Sequence, residues 1–146
     1  MKLNPKVVWI SIAILHGVAV ASAAHAADAR DAISPEKAGR FFASICYDLY
    51  LKDVGAAQVA AQRAGFVYDE TSGLFVHKRK DQQMRINSKR CALRFLTRSE
   101  LPELVRRFGS AATKAARTDP PAGTNVHIGT ENAGSGLTRA AAKFDR

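Results

Sequence analysis

Gly65-Phe66-Val67-Tyr68, then Asp69-Glu70-Thr71-Ser72-Gly73, then Leu74-Phe75-Val76-His77 is the stretch that decides the fold. Aromatic and β-branched residues flank a polar segment that ends in glycine. That order predicts strand, turn and strand. Upstream of Gly65 the apolar residues recur at helical spacing instead. The period therefore changes at Gly65, and the chain reads as α+β.

Working back from the hairpin, Asp53 is placed to cap an alanine-rich helix over 54–64. Val54, Ala57, Ala60, Ala61 and Ala64 form its narrow apolar face, and Gly65 follows its end. Small side chains contribute little area, so this helix depends on its neighbours. Further upstream, Ser34-Pro35-Glu36 combines a capping hydroxyl, a proline at the first helical position and an acid in the first turn. Phe41, Ile45 and Leu49 then recur every four residues beside Phe42 and Cys46, which predicts a first helix over 35–50 with Cys46 near its buried face.

Downstream, Met84 and Ile86 fit a short strand, and Asn87-Ser88-Lys89 a turn. Cys91, Leu93 and Phe95 fit one face of the next strand; a helix from 91 is the competing reading. Thr97 or Ser99 can start a closing helix with the stripe Leu101, Leu104, Val105 and Phe108, ending near Gly109. Residues 110–146 are rich in Ala, Thr, Gly and Pro and show no strong period, so a mostly disordered tail is expected. The resulting architecture is a small single domain over 34–109, with two N-terminal helices, a short antiparallel sheet, a closing helix and a flexible C-terminal tail. A small helical bundle is the alternative.

The first 26 residues read as an export signal. Lys2 and Lys6 give a positive start, Val7 to Val20 is largely apolar, and Ala24-His25-Ala26 offers small residues for cleavage. An uncleaved membrane-anchoring N-terminus is the competing reading. Cleavage after Ala26 leaves a loose leader over 27–33 and no transmembrane span. The remaining chain has 20 basic and 13 acidic residues, a formal charge of +7. Its length suits one hydrophobic core.

An exported chain with two cysteines is expected to join them, so Cys46–Cys91 is the expected disulfide and the compartment periplasmic or secreted. The chain-entropy value of such a bridge is about 4 kcal/mol. The pair forms no CxxC redox motif, and two ligands are too few for a structural zinc site. No metal or cofactor is expected.

The chain carries no glycine-rich phosphate loop, HExxH or GxSxG. His77 ends a strand beside Lys78, Arg79 and Lys80, and His127 falls in the weak tail. Asp69 and Glu70 are adjacent and suit the turn better than a cleft. No catalytic residue is assigned; a small secreted hydrolase joining His77 to a carboxylate or to a reduced Cys46 is kept as an alternative, as is a structural subunit of an envelope assembly.

Charge is more distinctive. Twelve basic residues lie between Lys78 and Arg117, against Asp81, Glu100 and Glu103. Lys78, Arg79, Lys80, Arg90, Arg94, Arg98, Arg106 and Arg107 are the candidate partner-binding residues. The expected function is a non-enzymatic accessory or binding protein that engages an acidic protein or an anionic glycan or lipid surface. A merely solvated basic face is the competing reading. Nucleic acid is disfavoured by the export signal and by aromatics that fall at core periods.

Overall fold

A computed structural model describes residues 7–13 and 27–146, with side chains from 27 onward. The rest of the expected signal, 1–6 and 14–26, lies outside the described residues. The chain is a small α+β domain of three helices packed on a six-strand sheet. The helices are α1 (Pro35–Phe42), α2 (Val54–Arg63) and α3 (Leu101–Ala115). Strand β1 (Val7–Ala13) comes from the N-terminal segment; the six strands of the domain are β2 (Phe66–Asp69), β3 (Leu74–His77), β4 (Gln82–Asn87), β5 (Arg90–Thr97), β6 (Thr124–Gly134) and β7 (Leu137–Asp145). Their order is β6-β7-β5-β4-β3-β2, antiparallel throughout, and β1 adds in parallel outside β6. No helix among the described residues is long and apolar enough to cross a membrane.

Local signals act as chemistry dictates at the helix starts. Ser34 Oγ accepts from Lys37 N, and Asp53 Oδ1 accepts from Gly55 N. Gly65, after α2, adopts φ +100°, which glycine enters without a Cβ penalty. Asp69 then organises the β2–β3 turn by accepting from Thr71 N, Ser72 N and Ser72 Oγ.

The first helix covers the expected span but changes its winding. After Phe42 it continues to Tyr50 as a π-helix, Ala43–Tyr50. The expected stripe of Phe41 and Leu49 is only half buried. Phe42, Ala43, Cys46, Tyr47 and Tyr50 are fully buried, because this segment is covered by α2 and α3 as well as by the sheet.

The expected architecture is overturned at its C-terminal end. α3 does not stop at Gly109; it runs to Ala115 and buries Gly109, Ala111 and Ala112. Its N-cap is Glu100 rather than Thr97 or Ser99, and no side chain caps it. Residues 124–145 form a long hairpin instead of a disordered tail, with β7 inside the sheet between β6 and β5. The small residues Ala140 and Ala142 lie on the same buried face as Phe144, opposite Phe95, Leu93 and Cys91. Burial against a distant strand, rather than local periodicity, makes this segment order. The six-strand sheet also excludes the helical bundle.

The core lies between the sheet and the helices. Phe95 stacks on Phe108 with centroids 5.9 Å apart, and Phe42 meets Phe108 at 5.4 Å. These rings join β5, α3 and α1; truncating one to alanine is expected to cost about 3–5 kcal/mol. Cys46 and Cys91 form the expected disulfide, fixing the π-helix to β5. Such a bond belongs to an oxidising environment rather than the cytosol.

Candidate functional site

The basic residues do not form one surface. Alternation along β5 sends Cys91, Leu93 and Phe95 to the helices, and so places Arg90 and Arg94 on the opposite, open face. Both are matched there. Arg90 Nε lies 2.5 Å from Asp145 Oδ1, and Arg94 lies 2.5 Å from Glu131 Oε1 with Gln83 at 3.4 Å. Arg139 on β7 joins the same network through Asp81 and Glu131.

Lys78, Arg79 and Lys80 occupy the exposed loop after β3. Its backbone is fixed by Lys78 N donating to Gly65 O and Arg79 N donating to His77 Nδ1. The His77 ring stands edge-on to Phe66 at 5.0 Å. Burial first, and the Lys80 charge next, hold its pKa below the usual imidazole value. These contacts make His77 a packed post at the base of the hairpin.

Arg106 and Arg107 lie elsewhere, on α3 where it crosses α1. Gly39 makes that crossing close: a Cβ there would overlap the Phe108 carbonyl oxygen. Beside it runs an open groove of about 410 Å3, lined by Glu36 and Arg40 from α1 and by Arg106, Arg107, Ser110 and Lys114 from α3. Arg107 is engaged by Glu36 at 2.5 and 2.9 Å and by Glu103 at 3.1 Å. That guanidinium holds the Glu36 carboxyl below the usual carboxylate range. Arg40, Arg106 and Lys114 are exposed, and none of them makes an ion pair among the described residues. Among the described residues the groove therefore keeps three cations without an ion-pair partner beside Arg107, which Glu36 and Glu103 share.

Arg98 stands apart from this cluster, lining a cleft with Ser34, Ser99 and Arg107 and another of about 490 Å3 with the β6–β7 turn. Of the eight residues singled out in the sequence, the structure brings Arg106 and Arg107 into one groove and distributes the others. Arg40 and Lys114 complete that groove. A lone arginine in α1 carries no sequence signal of belonging with α3, and Lys114 lies beyond the expected end of that helix.

Asp48, Asp53 and Asp69 are engaged in holding the fold. Asp48 accepts from Arg117 N and Thr118 N, which ties the end of α3 to the π-helix. Asp53 caps α2 and Asp69 holds a turn. No group of three or more His, Cys, Asp or Glu side chains suited to a metal ion occurs among the described residues. No family model, curated protein or solved structure matches the chain.

Proposed function

We propose that this protein is an exported, non-enzymatic binding protein, periplasmic or secreted, whose α1–α3 groove engages an acidic protein partner. The observation that carries the reading is the set Arg40, Arg106 and Lys114, exposed around the Glu36–Arg107 pair with no carboxylate of their own among the described residues. Arg107 is already satisfied, so it shapes the groove, while the other three cations supply attraction. A shallow, open groove suits side chains of a macromolecule better than an enclosed small ligand. Anionic glycan and lipid headgroups share the same charge chemistry; three separate cations presented from two helices suit carboxylates fixed on a folded surface.

The test compares a triple-site change with a double-site control in cross-linked capture from the native envelope at low and high salt. Arg40→Ser with Arg106→Ser and Lys114→Ser removes the groove's cations. Arg90→Ser with Arg94→Ser, which removes cations from the open sheet face, is the control. The reading requires a reproducible acidic partner that is lost with the groove variant, retained with the control and weakened by salt. Equal capture by both variants reduces the groove to a solvated face. Capture of polysaccharide or anionic vesicles in place of protein rejects the acidic-protein assignment.

A further inference from the structure

The two edges of the six-strand sheet differ. Edge β2 is four residues long and ends at Asp69, where the turn begins. Edge β6 is eleven residues long, and from Thr124 to Thr130 it contains no charged residue and no proline. Its irregularity comes only later, at Asn132 and Gly134. Long edges without charge, proline or a bulge attract further strands. Here the edge is taken: Val7 to Ala13 pairs with it in parallel, from Val7 opposite Thr124 to Ala13 opposite Thr130.

The segment that covers the edge lies within the stretch read as an export leader. Removing residues 1–26 would leave the outward N–H and C=O groups of alternate residues along Thr124–Thr130 without strand partners. We propose that in the processed protein the edge Thr124–Thr130 is a strand-accepting site for an extended, uncharged segment of a partner polypeptide, rich in β-branched and aromatic residues. The inference rests on the reading that residues 1–26 are removed on export. The chemistry of the occupant follows from the one already seated: Val7-Val8-Trp9-Ile10-Ser11-Ile12-Ala13 is apolar apart from one serine and carries no charge. Backbone bonding would supply affinity, and alternate side chains selectivity. This edge is built from β6 alone and uses none of the cations of the α1–α3 groove.

The experiment uses processed protein recovered after export, its intact mass read first. Retention of residues 1–26 removes the vacancy and overturns the inference before any binding is measured. Trp9 is the single tryptophan of the chain, so processed protein has none and indole emission reports an added peptide alone. The probe is a synthetic Lys6–Ala13 peptide with added terminal lysines for solubility. The expected result is a saturable blue shift of Trp emission, with amide exchange slowed across Thr124–Thr130. Two further peptides carry backbone N-methyl groups, one on Val8, Ile10 and Ile12, the other on Val7, Trp9 and Ser11. One edge of a strand donates to β6 and the other faces away, so one methylated peptide should lose affinity by about tenfold or more while the other keeps it. No saturable binding by the unmodified peptide, or the same response from both methylated forms, overturns the inference. A processed protein that dimerises with β6 already protected assigns the edge to a second copy, and overturns it equally.

Discussion

Cys91 stands opposite Phe144 across the β5–β7 ladder, and the Phe144 ring lies 6.3 Å from Tyr47 and 5.5 Å from Tyr50. Both tyrosines belong to the π-helix that Cys46 joins to Cys91. The last strand is thus held by the same segment as the disulfide. Phe144→Ala should lower stability by about 3–5 kcal/mol in urea unfolding. A loss below about 1 kcal/mol would contradict the central place of β7.

Reduction of the disulfide gives a separate test. Cys46→Ala or Cys91→Ala should lower unfolding stability by about 4 kcal/mol, since the bridge closes a long loop. Intact mass after alkylation without reductant should show no modified thiol on the exported protein.

The α1–α3 crossing depends on the missing side chain of Gly39. Gly39→Ala drives a methyl group into the Phe108 carbonyl, and the helices must separate. A loss of about 1–3 kcal/mol is expected. Gly55→Ala, at the start of α2 where the nearest group is the Asp53 carboxylate at 3.3 Å, should change stability by less than about 1 kcal/mol. Equal thermal shifts in the two variants would refute the close approach.

Acid should weaken the groove. The Arg107 hydrogen bond lowers the Glu36 carboxyl from its ordinary value of 4.5, so the folded state favours the ionised form. The pair's contribution is complete above pH 4.5 and disappears as pH falls through the lower folded value. Both side chains are about one-third exposed, which keeps the effect small. Glu36→Gln should be less stable than the parent at pH 7, and the gap should close as pH falls below 4.5 through the lower folded value. A gap that widened in acid would reverse the assigned sign.

Tyr47 offers the opposite kind of change. Its hydroxyl is buried without a hydrogen-bond partner among the described residues, and burial pushes the phenol pKa up. Tyr47→Phe removes a buried polar atom and keeps the ring against Phe42 and Phe144. Stability should rise by on the order of 1 kcal/mol in urea unfolding. A fall of that size would show that the hydroxyl is bonded in solution.

The N-terminal half was legible because its signals are local. Ser34 and Asp53 announce caps, and Asp69 to Gly73 announces a turn, each acting within a few residues. The last third is different. Ala140 and Ala142 carry little hydrophobic signal, and Gly134, Ser135 and Gly136, all at positive φ, resemble breakers until two strands are seen on either side. What orders Ala140 and Ala142 is pairing with Phe95 and Leu93 of β5, more than forty residues earlier in the chain. The candidate groove was half legible for the same reason. Arg106 and Arg107 share a visible helix, whereas Arg40 joins them only because α1 crosses α3 at Gly39.

The central position of β7 has a consequence for how the protein is made. A chain made N-terminus first presents β2 to β5 while the strand that must lie beside β5 is still to arrive. Cys46 and Cys91 can meet before then, but β5 keeps an open flank until residues 137–145 emerge. Completion of the sheet therefore waits on the last residues to be made.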